Sequence, residues 1–250
     1  MSPFLLVPLG TTGYHPNELR QTACYALPEV GVVLDAGTGL HRLGRVLRTD
    51  ELDIFLSHAH LDHVVGLTFL LGLLHGRELR RVTVHGEAAK LAAVREHLFH
   101  ADLFPVAPTC EFRPLADRVP LSGGGTLTHF PLVHPGGCRG FRLDWPGRSL
   151  AYVTDTTARP DADYLAHVRG VDLLLHECYF GDDVPEEFAR RTGHSRTTAT
   201  AELAQAAGVG RLVLIHLDPM RNVVDPIGLE AARRVFPRTE VAEDLKEIEF

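Results

Sequence analysis

A single α/β domain spanning residues 1–250 is the fold the sequence predicts, and three observations predict it. Short apolar runs of strand length alternate with stretches of helical spacing along the whole chain, the pattern of sheets covered by helices. Five of the apolar runs stop at a histidine or an acidic residue, where sites are built. No repeat, low-complexity tract or clear linker divides the chain.

With 250 residues, 45% hydrophobic and 23% charged, the chain has an ordinary globular composition and material for a sizeable core. Its longest apolar stretch, 64–74, is too short to span a bilayer, and Met1-Ser2-Pro3 has neither the basic nor the apolar region of a signal peptide. Both point to a cytoplasmic protein with no membrane partner. Cys24, Cys110, Cys138 and Cys178 are widely spaced without a Cys-x-x-Cys pair, which excludes a disulfide framework and a thiolate zinc site. A net charge of −7 and a pI near 6.1 exclude a broad, non-specific grip on polyanions. Arginines 77, 80 and 81 form a local basic patch, which reads first as the solvated end of a helix.

Taken in order, 5–9 and 22–27 read as strands around the polar loop 10–17, and 30–35 as a third strand ending at Ala36-Gly37-Thr38-Gly39. The glycines near 10 and 37 lack the strand, loop and helix spacing of a nucleotide motif, so they read as turns. Asp35 ends an apolar strand, where it can orient a metal-ligating histidine or cap the helix beginning near Leu40; both readings stand. Residues 52–56 form a buried strand, 40–48 and 66–75 carry helical spacing, 81–85 is a strand and 87–99 a helix with Leu91, Val94 and Leu98 on one face. His97 and His100 complement the end of that helix as dipole partners. A proline-rich loop 101–109, a strand 111–115 and a turn 122–125 lead to the strand 126–133. Residues 140–145 and 149–154 flank Pro146-Gly147-Arg148 as a hairpin. A helix over 162–168 precedes the strand 171–175, a helix runs from about 196 to 207 with Gly208 in the usual C-terminal position, and 212–215 is a strand. A helix over 226–235 follows, and the tail 240–250 adds an edge strand.

The chemistry concentrates in His58-Ala59-His60-Leu61-Asp62-His63, directly after the strand 52–56. His58 and His60, two apart, face the same way in extended backbone, whereas Asp62 and His63 need a tight turn to join them. Imidazole and carboxylate are ligands for Zn2+, and with no cysteine nearby the set fits a catalytic metal better than a closed structural site. The arrangement suits two adjacent ions. His134, Asp155, His176-Glu177 and His216 each end a later strand, and His194 in Gly193-His194-Ser195 leads into the helix 196–207, at a terminus that favours anions.

The cluster at 58–63, followed by His134, Asp155 and His216, resembles the metallo-β-lactamase superfamily of metallohydrolases. The resemblance implies a four-layer αβ/βα sandwich with a dinuclear site along one edge of its two sheets. It also implies His58, His60 and His134 as ligands of one metal, Asp62, His63 and His216 of the other, and Asp155 as the bridge. Two divalent ions are expected, zinc first, with Mn2+ or Fe2+ as alternatives. β-Lactamases of the superfamily generally carry a cysteine at the second metal instead of a bridging aspartate, and the di-iron oxidoreductases carry a carboxylate where this chain has His60.

Gly193-His194-Ser195 with its alanine-rich helix, His216 and the upstream His176-Glu177 is similar to the RNase Z branch of phosphodiesterases. Asp62, His194 and Glu177 are then the candidates for the chemical step, His194 binding phosphate and protonating the leaving alkoxide while Glu177 fixes its tautomer. His176 reads as structural. That branch inserts a tRNA-gripping arm between the third-motif histidine and the bridging aspartate, where this chain has only 20 residues of hairpin between His134 and Asp155. Gly66-Leu67-Thr68-Phe69 replaces a glycine-proline loop, and His216-Leu217-Asp218-Pro219 has aspartate where serine is usual. The expectation is therefore a dinuclear-metal phosphodiesterase that directs hydroxide at the phosphorus of a small, cyclic or short single-stranded phosphodiester. The alternatives are an RNase Z-type tRNA 3′ endonuclease, a thioester or lactone hydrolase, and a non-catalytic metal-binding module. A homodimer in which a partner chain presents Arg77, Arg80 and Arg81 is the route by which tRNA would be gripped without an arm.

Overall fold

A computed structural model describes residues 4–250; Met1, Ser2 and Pro3, with the signal-peptide reading made on them, lie outside the described residues. The chain forms two compact units. The first consists of Arg20–Gly123 with the preceding residues up to Pro16 and the closing Glu243–Phe250, and the second of Gly124–Ala242 with Asn17–Leu19.

In the first unit the apolar runs become β1 (Leu5–Gly10), β2 (Cys24–Leu27), β3 (Val32–Leu34), β4 (Glu51–Phe55), β5 (Arg81–Gly86) and β6 (Glu111–Pro114), joined by β14 (Ile248–Glu249). The sheet order is β14-β1-β2-β3-β4-β5-β6. The strands from β14 to β3 pair antiparallel, and β3 to β6 pair parallel through helical crossovers. Parallel strands are covered on both faces, which explains why β3 reads as an unbroken hydrophobic run, whereas in β4 the run is interrupted by the half-buried Asp53. Val33, Leu52, Ile54, Val82 and Val84 pack there against Leu40, Leu43 and Leu67.

The helical spacing at 40–48 resolves into a 3₁₀ helix, Thr38–Arg45, and that at 66–75 into a 3₁₀ turn, Val65–Phe69, running into α2 (Leu70–Gly76) after the one-turn α1 (Leu61–Val64). The helix expected over 87–99 is α3 (Ala88–Ala93), continued by a π turn, Val94–Leu98. A further strand, β7 (Arg118–Leu121), was not legible: it is short, carries a proline and buries Leu121 alone.

The arginine patch bonds within this unit, Arg81 and Arg77 through part-buried contacts and Arg80 through an exposed pair. Arg81 spans Asp53 at 2.7 and 2.9 Å and reaches Glu51 at 2.9 Å, Arg80 pairs with Glu51 at 2.6 Å, and Arg77 donates to the Leu47 and Thr49 carbonyls. Burial alone would raise the Asp53 carboxyl, but hydrogen bonds from His85 and Arg81 bring it down to about 2 from 3.8. A depressed carboxylate stabilises the fold in full above its unfolded value and loses that contribution as pH falls from about 4 toward 2. Asp53→Asn is therefore expected to cost about 2 kcal/mol at neutral pH, and the gap between variant and wild type should close in urea melts repeated toward pH 2. A gap independent of pH would remove the ionic explanation.

The second unit carries β8 (Gly125–Leu132), β9 (Cys138–Trp145), β10 (Arg148–Val153), β11 (Leu173–Glu177), β12 (Arg211–Ile215) and β13 (Thr239–Val241), in the order β13-β12-β11-β10-β9-β8. β8, β9 and β10 are an antiparallel meander, and β10 to β13 run parallel. Helices α4 (Leu165–Val168), α5 (Glu186–Thr192), α6 (Thr197–Ala207) and α7 (Leu229–Val235) accompany them. Ala201, Leu203 and Ala204 of α6 pack with Val153, Leu174, Leu212 and Leu214 in one buried cluster. The tail does not form a single edge strand: β13 ends this sheet, while β14 returns to the first unit beside β1. Among the described residues no helix is long and apolar enough to cross a membrane.

Candidate metal centre

Parallel pairing brings the carboxyl ends of β3 and β4 to one edge of the first sheet, and those of β10, β11 and β12 to one edge of the second. Open α/β sheets build sites at such edges. Asp35, Asp155 and His216, each just past a strand end, have φ of 57°, 48° and 53°. Left-handed backbone is uncommon outside glycine, and it occurs here at three candidate site residues just past their strands.

In the first unit Asp35 is the organising carboxylate. Its Oδ1 accepts the Ser57 N–H at 2.7 Å, and its Oδ2 accepts both the Ser57 hydroxyl and His63 Nδ1 at 2.7 Å. The Ser57 hydroxyl donates its hydrogen to Asp35, so at 2.9 Å its oxygen accepts from His58 Nδ1. Both imidazoles are thereby fixed as Nδ1–H tautomers, with Nε2 the candidate ligand atom. This decides the open reading of Asp35: it orients His63, and the 3₁₀ helix that follows starts from Gly37 without a side-chain cap. His60 packs edge-on against His58 with ring centroids 4.4 Å apart, and His63 lies 4.3 Å from His58. Asp62 accepts the Tyr14 N–H at 2.7 Å. Gly37 and Gly66 serve close packing of these loops: a Cβ at Gly37 would lie 2.3 Å from the Asp62 carbonyl oxygen, and one at Gly66 2.1 Å from that of Gly37. Asp35→Asn is expected to weaken metal affinity about 10–100-fold with the far-ultraviolet circular dichroism unchanged; a competition titration against a chelator reads it, and unchanged affinity would remove Asp35 from this role.

In the second unit Asp155 Oδ1 faces His134 Nε2 at 3.6 Å and Oδ2 faces His216 Nε2 at 3.4 Å. His134 Nδ1 is turned to the Gly193 carbonyl at 3.4 Å. Glu177, fully buried, accepts the backbone N–H groups of Thr156, Tyr179 and Ser195 at 2.9–3.1 Å and stands 3.3 Å from His194 Nδ1. His194 is not at a helix terminus, as its sequence position suggests. α6 begins at Thr197, and His194 follows the left-handed Gly193 that ends α5, so its ring is placed by Glu177 and by stacking on Tyr179 at 4.5 Å. One ligand atom each of Asp155, His194 and His216 lie within 4.8 Å of one another. His176 is structural, as expected: Nδ1 donates to the Glu177 carbonyl at 2.7 Å and Nε2 accepts from Tyr164 at 2.8 Å. Burial lowers its pKa and keeps the ring neutral.

The donor set fits divalent metal in each unit. Two atoms bound to one tetrahedral ion at about 2.1 Å stand about 3.4 Å apart. The pairs His63–Asp62 at 3.3 Å, His216–Asp155 at 3.4 Å and His134–Asp155 at 3.6 Å have that spacing, which is long for charge-assisted hydrogen bonds.

Comparison with known proteins agrees. The sequence profile of the Beta-lactamase superfamily domain matches residues 31–217. Ribonuclease Z of Methanopyrus kandleri is 30% identical over 275 aligned positions covering 94% of both chains, and ribonuclease Z of a Synechococcus species is 41% identical over 312 positions covering 96% of both. Since this chain has 250 residues, both relatives carry inserted segments that it lacks. The metallo-β-lactamase fold protein YhfI from Bacillus subtilis superposes over the whole of both chains with a TM-score of 0.79 at 20% identity, which shows the fold. Two mixed sheets flanked by helices, a histidine–aspartate donor set at their strand ends and ribonuclease Z relatives along nearly its full length make this chain a metal-dependent hydrolase belonging to the metallo-β-lactamase superfamily.

Proposed function

We propose that the chain is a dinuclear-metal phosphodiesterase acting on small, cyclic or short single-stranded phosphodiesters. Its ligands are His58, His60, Asp62 and His63 together with His134, Asp155 and His216, and zinc suits this imidazole-rich set. The observation that carries the reading is Asp155, whose two oxygens each stand at ligand-to-ligand spacing from a different histidine, as a carboxylate shared by two ions requires. Two cations held there supply Lewis-acid charge and a nucleophile at neutral pH. The residues do the rest. Asp35 and Ser57 hold the His58 and His63 rings, Asp62 would serve as a metal ligand, and Glu177 positions the His194 ring to protonate the leaving oxygen.

The substrate size follows from the short β9–β10 hairpin where the RNase Z branch has its arm; of the nearby arginines, Arg77 and Arg81 are bonded within their own unit. A second reading, tRNA 3′ endonuclease, is favoured by the names of the relatives, 30–41% identical over almost the whole chain. Metal analysis of the purified protein should give two ions per chain. In parallel, kcat/KM is compared on bis(p-nitrophenyl) phosphate, a cyclic nucleotide, a dinucleotide, a precursor tRNA, a thioester and a lactone. The dinucleotide or cyclic nucleotide should lead; site-specific removal of the tRNA 3′ trailer at higher efficiency would replace this reading with the second.

A further inference from the structure

A cavity of about 540 Å3 lies wholly within the second unit, with His134 and Gly193 among its lining residues. That volume falls within the range of small-molecule sites. Much of the lining is apolar, with Leu132, Val133, Pro135, Ala162 and Tyr164 among its residues. Val133 is 81% exposed, an aliphatic side chain left facing solvent at the end of β8. The lining also carries Arg159, Arg190 and Arg191 with one carboxylate, Asp163, in a chain whose net charge is −7. The arginines are exposed and weakly committed: Arg159 meets Asp161 only at 3.4 Å, both well exposed, and Arg191 lies over the Phe188 ring at 5.4 Å. Arg190 and Arg191 close α5, and complementing a helix terminus explains a positive charge there. It does not explain why a third arginine, from the segment after β10, lines the same cavity.

We propose that this cavity is a nucleoside subsite, binding a base against the apolar lining and the phosphate next along the chain to Arg159, Arg190 and Arg191. The inference rests on the phosphodiesterase reading and gives it a substrate class: dinucleotides and short oligonucleotide ends carrying a second phosphate. A flat base suits a lining of aliphatic side chains and one tyrosine ring, whose hydroxyl is already taken by His176. Guanidinium groups bind phosphate oxygens through paired N–H donors. Because His134 lines the same cavity, a nucleotide seated there would have its neighbouring diester at a proposed metal ligand.

The test is calorimetric titration of the purified protein with uridine 3′,5′-bisphosphate and with inorganic phosphate. The wild type should bind the bisphosphate at least tenfold more tightly. The exposed triple replacement Arg159→Ala, Arg190→Ala, Arg191→Ala should lose about tenfold or more in bisphosphate affinity. Val133→Glu, which leaves the arginines in place, should also weaken it. On substrates, the ratio of kcat/KM for the 5′-phosphorylated dinucleotide pUpU to that for bis(p-nitrophenyl) phosphate should fall at least tenfold in the triple variant, mainly through KM. Bisphosphate bound no more tightly than phosphate, or bound equally by the arginine variant, overturns the subsite. If the wild type cleaves neither diester, the phosphodiesterase reading fails, and the titrations still decide whether the cavity binds nucleotides.

Discussion

Asp155→Ala should lower metal content from two ions per chain to less than one and reduce phosphodiester hydrolysis to the uncatalysed background. Its carboxylate stands 3.6 Å from one histidine nitrogen and 3.4 Å from another, so in the proposed bridging role its removal would take a ligand from both ions. Two cations held close together repel, and a shared anion offsets that repulsion. The residue is also 2% exposed and accepts the Thr154 hydroxyl at 2.6 Å, which fixes one oxygen before any metal arrives. Alanine tolerates the left-handed φ of 48° less well than aspartate, so circular dichroism and a urea melt must accompany the metal analysis. Asp155→Asn separates the two effects, since asparagine tolerates left-handed backbone but brings no charge. It should fold like the wild type and still lose metal. Full occupancy of both ions in a folded Asp155→Asn protein would end the bridging assignment.

The candidate ligands were legible because each follows a strand, and a strand announces itself as an apolar run that stops. His58, His134, Asp155 and His216 lie within three residues of β4, β8, β10 and β12. Partners drawn from distant loops leave no such mark. Ser57 looks like a linker residue until its hydroxyl is seen between Asp35 and His58, and Tyr14 reaches Asp62 through its backbone N–H, which any residue could supply. Tyr179 shares no spacing with His194, the ring it stacks on. α5 was missed because Glu186–Thr192 buries only Ala189, so no apolar periodicity marks it; its signals were the acidic first turn and the closing Gly193. The basic residues divide differently. Arg77, Arg80 and Arg81 cluster in sequence and bond neighbouring carboxylates and carbonyls, whereas Arg159, Arg190 and Arg191 come to line one cavity only once the chain has folded.

His194→Ala should leave both ions in place yet lower kcat by about 100-fold on a diester with a poor leaving group, the usual scale for loss of a general acid. The deficit should shrink on bis(p-nitrophenyl) phosphate, since p-nitrophenolate departs with little protonation. Two features give the residue this role. Its Nδ1 is 3.3 Å from Glu177, a carboxylate that three backbone N–H groups pin in place, so the ring cannot turn away without breaking that contact. It also lies beside the proposed ligands, stacked 5.6 Å from His216 and within ligand-atom reach of Asp155. That proximity admits a competing role as a further metal ligand, and the two roles diverge in measurable ways. A ligand's removal lowers metal content and slows every substrate alike. An acid's removal spares the metal and penalises substrates in order of leaving-group pKa, so the slope of log kcat against that pKa should become steeper in the variant. An unchanged slope with reduced metal content would assign His194 to the metal and leave the leaving oxygen to be protonated by another group.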